Sequence, residues 1–258
     1  MSSPSALSPK HTVVAGVTEL FIDRDITALD RYWSSQYIQH SFLAAPGLEG
    51  LRAFAGNLPT GFEFELVRVL SEGDLVVTHG IYRGLGDDAL VAFDLFRVED
   101  GRIVEHWDAL TSVVAETASG HSQTDGPTTV RSPEATAASK ELVEQFVQDI
   151  LIDGDMSRLA GYYDGDAYVQ HNPTIPDLVS GLGTALAALA EAGITMVYSR
   201  RHRTVADGEF VFTQSEGTFG GAPYVFYDLF RVANGFIAEH WDVMVPQPAT
   251  LPHDNGLF

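Results

Sequence analysis

Apolar residues recur along this chain at two spacings, every three to four residues and then every second residue, and the whole programme runs through twice. Over residues 11–23, Val13, Val14, Val17, Leu20 and Phe21 keep helical spacing. Residues 26–33 predict a second short helix, and residues 47–56 a third that Gly56 and Pro59 stop. Residues 37–40 (YIQH), lying between those two, are short and β-prone and predict a small strand. Four period-two runs follow at 62–70, 75–85, 89–99 and 102–114, separated by the turn formers SEGD, GDD and EDG. Helices followed by an antiparallel meander predict an α+β fold rather than a βαβ alternation. After a stretch rich in Ser, Thr and Gly, the same order returns: helices over 134–152 and 155–163, a YVQH strand at 168–171, a helix at 182–193 and strand runs from 194 to 245.

The repetition is literal at one place. Residues 94–108 read DLFRVEDGRIVEHWD and residues 228–242 read DLFRVANGFIAEHWD, identical at 11 of 15 positions and displaced by 134. The chain is therefore an internal duplication. The expected division is a first domain at 1–115, a linker at 116–133 and a second domain at 134–258, each long enough to bury a core. The final PQPATLPHDNGLF reads as loose, or as a cover for an opening.

Composition narrows the field. With 45% hydrophobic and 19% charged residues the chain is typical of globular protein. A net charge of −20 repels phosphate backbones and anionic lipid, so nucleic-acid and membrane roles are disfavoured. The absence of cysteine removes disulfides, thiolate catalysis and cysteine–zinc sites. The opening MSSPSALSPK has neither a basic start nor an apolar stretch, and no apolar run approaches a membrane span, so a cytoplasmic protein is expected.

Candidate chemistry gathers in the repeated hairpin. In a strand, residues two apart share a face, so His106 and Asp108 point one way, as do His240 and Asp242, with Trp107 and Trp241 opposite. If the hairpin folds about Gly101, Asp94 lies across the ladder from Asp108; about Gly235, Asp228 faces Asp242. Two facing carboxylates repel unless one is protonated or a cation intervenes, which packing alone does not explain. A solvated strand end with a half-buried Trp is the competing reading of a single copy. His40 and His171 are either pocket residues or structural histidines bonding backbone carbonyls. His79 becomes Gln214 in the second copy. His40, His106 and Asp108 could form a two-His, one-carboxylate metal set, but no spacing demands a metal, and a metal-free site is expected. Arg200, Arg201, His202 and Arg203 form the basic cluster, read as a solvated strand edge or an anion site.

YIQH, GLEGLRAF and the EHWD hairpin together resemble the SnoaL-like polyketide cyclases of the nuclear transport factor 2-like superfamily, over both halves of the chain. The resemblance implies a cone in each half: a strongly curved antiparallel sheet wrapped by about three helices around an apolar pocket, with no cofactor. In those cyclases an Asp late in the closing strand is the general base for an intramolecular aldol cyclisation, assisted by pocket histidines. Carried over, the base is Asp108 and Asp242, with Asp94 and Asp228 at the hairpin's start. The histidines are His40 and His171, with His106 and His240 beside the base. Trp33, Tyr37, His79 and Trp107, and Tyr168, Gln214 and Trp241 in the second copy, are the expected substrate contacts. The partner implied is a small apolar carbonyl compound or epoxide, because the superfamily also holds epoxide hydrolases and epoxide-opening ether cyclases working through an Asp–Arg–Asp relay. A plain ligand cup is the non-enzymatic reading. The two halves are expected to form an internal pseudo-dimer, with further homodimer pairing open. One departure stands out: the first copy reads YIQHSF where the second keeps YVQHNP.

Overall fold

The computed structural model describes residues 7–258, so the start of the expected polar tail lies outside the described residues. The chain forms two compact units. Unit 1 runs to Ser112 and also takes in Pro248–Phe258, and unit 2 is Val113–Gln247. The segment expected as linker thus falls in unit 2, and the last eleven residues, expected with the second domain, fall in unit 1.

Unit 1 begins with α1 (Pro9–Val17), whose Ser8 cap accepts from the His11 amide and whose Pro9 suits a first helical turn. The helix then widens into a π turn over Thr18–Ile22, closed by Asp23 N–H donating to the Thr18 carbonyl. That extra residue lets Leu20 and Phe21 both reach the core together with Val13 and Val17. α2 (Ala28–Tyr32), β1 (Trp33–Gln39) and α3 (Gly47–Gly56) follow, then β2 (Glu63–Glu72), β3 (Leu75–Arg83), β4 (Leu90–Glu99) and β5 (Arg102–Ser112). The sheet order is β1-β5-β4-β3-β2. Four strands form the expected antiparallel meander, while β1 adds to β5 in parallel, so the sheet is mixed at that edge.

Unit 2 repeats this with α4 (Thr136–Phe146) and its own π turn (Val147–Ile152), a 3-10 turn (Met156–Tyr162), β6 (Val169–Gln170) and α5 (Val179–Glu191). β7 (Met196–Asp207), β8 (Phe210–Phe219), β9 (Ala222–Ala233) and β10 (Phe236–Pro246) complete a sheet ordered β6-β10-β9-β8-β7. α5 buries none of its residues fully, whereas α3 buries Leu51 and Ala55.

The repeated hairpin shows why its register is fixed. Asp100 and Gly101 carry φ of 50° and 74°, and Asn234 and Gly235 carry 53° and 81°, the two-residue turn that matches strand twist. Such a turn alone would set Asp94 opposite residue 107. A bulge at Val104 absorbs one residue, and Asp94 pairs with Asp108. Ala238 does the same for Asp228 and Asp242. The facing carboxylates follow from turn and bulge together, not from symmetry about the glycine.

Candidate functional site

In unit 1 the concave face of the sheet and the helices enclose a pocket of about 520 Å³ including its mouth. Its apolar lining includes Phe21, Trp33, Leu51, Phe54, Leu85 and Leu110, with Tyr37 and Tyr82 among them. Asp94, His106 and Asp108 meet on its sheet wall, each offering an atom within 4.8 Å of the others. That is the donor set a cation could use, and His40 is not part of it. The equivalent pocket in unit 2, about 480 Å³, holds Asp228, His240 and Asp242 with Tyr163, Tyr168 and Tyr198.

Asp94 is fully engaged. It accepts from Tyr82 Oη at 3.1 and 3.2 Å and from Thr78 Oγ1 at 3.3 Å, and it meets His106 Nε2 at 3.2 Å. The protonation of His106 can be read from its other nitrogen. Gln39 Oε1 accepts from the Ser41 amide at 3.1 Å, which fixes that atom as oxygen, and it lies 2.8 Å from His106 Nδ1. Nδ1 therefore carries a hydrogen, and the proton on the other side of the ring is shared with Asp94. Asp108 is different: its Oδ1 is buried and has no hydrogen-bond partner in the protein. Burial pushes its pKa from 3.8 up to about 6; the Asp94 charge adds to this, while His106, Ser41 and His253 pull it back. A raised pKa on one member is how the facing pair is tolerated. Burial and the two nearby carboxylates hold the Tyr37 and Tyr82 phenols well above their ordinary value, so both remain donors.

Unit 2 keeps the network with changes. Gln170 Oε1 accepts the amides of His171 and Asn172 and meets His240 Nδ1 at 3.1 Å, and His240 Nε2 lies 3.1 Å from Asp228. Burial would lower His240, but its bond to Asp228 and the charges of Asp242 and Asp228 outweigh burial and raise it. Burial also raises Asp242, opposed by His240 and by a hydrogen bond from Asn172.

Several expected site residues lie on the other face of the sheet. His40 Nδ1 donates to the Gly256 carbonyl at 2.9 Å, its Nε2 meets Glu105 at 3.0 Å, and its ring stacks on Trp107 at 4.9 Å. Arg97 continues the chain to Glu105 at 2.8 Å. His171 likewise bonds the Ser122 carbonyl and Glu239, with Arg231 behind, and stacks on Trp241 at 4.5 Å. The reason is parity along β1: Gln39 pairs with His106 and shares its pocket face, so the next residue turns away. His40, His171, Trp107 and Trp241, expected at the pockets, lie outside their linings. His79 stacks on Phe93 at 4.2 Å beside Arg68, and Gln214 joins Arg203 to Tyr227; these too lie outside the pockets. In the basic cluster, Arg201 bonds the Glu144 carbonyl and His202 pairs with Glu216. Trp33, Tyr37 and Tyr168 do line the pockets.

Gln39, Gln170, Tyr82 and Tyr198 escaped the sequence reading, while Asn172 entered it only as part of the YVQHNP departure. The tyrosines carried a hidden signal. Tyr82 on β3 pairs with Phe64, and at the matching rung of unit 2 Gly217 pairs with Tyr198 on β7. Tyr198 Oη reaches Asp228 at 3.1 and 3.3 Å. Both copies thus bring a phenol to the same carboxylate from opposite strands of one rung. A side chain at Gly217 would strike the Val197 carbonyl, so the tyrosine of unit 2 has only the partner strand to occupy.

With this geometry in view, comparison places the chain. The SnoaL-like domain family matches residues 14–106 and again 143–240, and the chain belongs to that family, as a tandem pair. No curated protein matches it. Among solved structures, IdmH from Streptomyces antibioticus, provisionally assigned as a polyketide cyclase, shares 25% identity over 40% of this chain and 92% of its own, with a TM-score of 0.35. A steroid delta-isomerase from Pseudomonas aeruginosa shares 25% identity over 42% and 84%, TM-score 0.35. A Mycobacterium tuberculosis LEH-like epoxide hydrolase shares 19% over 42% and 86%, TM-score 0.36. Among the described residues no helix is long and apolar enough to cross a membrane.

Proposed function

We propose that unit 1 is a cofactor-independent acid–base site that removes a proton α to the carbonyl of a small apolar substrate, the first step of an aldol-type cyclisation or an isomerisation. The observation that carries this is Asp108: a carboxylate at the wall of an apolar pocket, with one oxygen unused by the protein and a pKa near 6. A base of that strength is largely ionised at neutral pH yet stronger than an ordinary aspartate. Asp94, held by Tyr82, Thr78 and His106, keeps a second acid group across the ladder. The phenols of Tyr37 and Tyr82 supply hydrogen-bond donors where enolate charge develops. The epoxide-opening alternative expects an arginine between two carboxylates, and the lining residues of both pockets include none.

The test uses an enolisable bicyclic ketone, 2-tetralone, and follows exchange of its α-hydrogens with deuterated solvent by NMR. Exchange above the buffer rate, rising as pH passes upward through about 6 and lost in folded Asp108→Asn, is expected. Exchange no faster than buffer, or unchanged in that variant, would overturn the reading.

A further inference from the structure

The two copies end their first strand in the same way and then diverge by one side chain. His40 and His171 each donate their backbone N–H to the carbonyl of the strand histidine, at 2.9 Å. The next residue, Ser41 or Asn172, therefore arrives at the same place beside the strand carboxylate. What differs is how many of the carboxylate's oxygens it reaches. The Ser41 hydroxyl already accepts from the Leu43 amide at 3.1 Å, and its single hydrogen can satisfy one oxygen of Asp108. Asp108 Oδ1 is the atom left over. The Asn172 amide nitrogen lies 2.7 Å and 3.0 Å from the two oxygens of Asp242, so one N–H is shared between both of them.

The orientation of that amide is fixed by its other end. Asn172 Oδ1 accepts from the Thr174 backbone N–H at 2.9 Å and from the Thr174 hydroxyl at 2.8 Å. A backbone N–H can only donate, so the atom facing it must be the oxygen and the NH2 must face Asp242. Asn172 is 8% exposed.

We propose that Asn172 is a positioning residue that latches both oxygens of Asp242, so that the duplication has produced one open carboxylate, Asp108, and one committed carboxylate, Asp242. This rests on the reading that the strand carboxylates are the working groups. Unit 1 leaves Asp108 Oδ1 without a protein partner at the pocket wall. In unit 2 any ligand shares Asp242 with the Asn172 amide. The other groups facing each carboxylate are matched. Asp108 faces Asp94, His106, Tyr37, Tyr82 and the more distant His253; Asp242 faces Asp228, His240, Tyr168 and Tyr198. Ser41 against Asn172, and His253, are the differences.

The test reads the two carboxylates directly, without any substrate. Full-length protein carrying 13C at aspartate Cγ is titrated by NMR, with Asp108→Asn and Asp242→Asn assigning the signals. Asp242 is expected to protonate below Asp108, because Asn172 reaches both of its oxygens where Ser41 reaches one. Asn172→Ser should raise Asp242 toward Asp108, and Ser41→Asn should lower Asp108. Coincident titrations in the wild type, or an Asp242 that does not move in Asn172→Ser, would overturn the proposal. If that variant does not fold, Ser41→Asn decides it from the other side. Failure of 2-tetralone exchange would count against the proton-abstraction reading and leave these titrations unaffected.

Discussion

Replacing Asp108 by Asn should make the protein more stable, and by an amount that depends on pH. In the folded chain burial raises the carboxyl from 3.8 to about 6. A group whose folded pKa is raised binds its proton more tightly in the folded state. Its favourable contribution is therefore complete below pH 3.8 and is lost as pH rises through about 6. The two values differ by about 2.2, so at 1.36 kcal/mol per pH unit the ionised group costs the fold about 3 kcal/mol at pH 8 and about 1.6 kcal/mol at pH 5. Asparagine has the same shape and no charge to desolvate. Urea unfolding in a Trp241→Phe background follows unit 1 alone, because the remaining tryptophans, Trp33 and Trp107, both belong to it. The stabilising gap between variant and parent should widen by about 1.4 kcal/mol from pH 5 to pH 8. A gap that stays flat, or a variant less stable at pH 8 than at pH 5 relative to its parent, would refute the claim that ionised Asp108 is held against its preference.

Two further outcomes probe different parts of the fold. His40→Ala should cost about 2–3 kcal/mol of stability, because it strands the partly buried Glu105–Arg97 pair, while leaving 2-tetralone exchange unchanged; chemical denaturation and the exchange assay separate the two effects. Leu178 has φ 72° and ψ 152°, a region suited to glycine, and its side chain is 47% exposed. Leu178→Gly should therefore stabilise unit 2 by about 1 kcal/mol, strain relief of about 1–3 kcal/mol less the entropy glycine brings, read from native-state hydrogen exchange of the β9 and β10 amides.

What the chain discloses before folding follows from which interactions are local. The duplication, the helices and the four-strand meander are written in spacing, and each appears where the apolar pattern puts it. The facing of Asp94 and Asp108 is legible because one hairpin decides it, although the argument from symmetry reached the right pair by neglecting both a two-residue turn and the compensating bulge at Val104. His40 was misplaced for the opposite reason. Its side of the sheet depends on how β1 docks beside β5, a parallel pairing across more than sixty residues that no local pattern encodes. Gln39, one residue earlier, takes the pocket position. The same limit applies to the last eleven residues: His253 reaches the Ser41 carbonyl at 2.9 Å and Asn255 the Gln39 carbonyl at 2.8 Å, contacts that composition leaves open between a loose end and a cover for an opening.

The phenol that crosses the ladder between the copies has a consequence for how such sites are found. A position-by-position alignment of the two halves sets Tyr82 against a glycine and Tyr198 against a phenylalanine, and would score the tyrosine as lost in each. In the structure each phenol still bonds the carboxylate at the start of its hairpin, Tyr82 from β3 and Tyr198 from β7. The unit of inheritance at this wall is a location for a hydroxyl group, not a residue in a column. Unit 1 can be asked the same question its duplicate has answered: Tyr82→Phe with Phe64→Tyr moves the phenol by one rung partner, as the protein has already done once in its own second half.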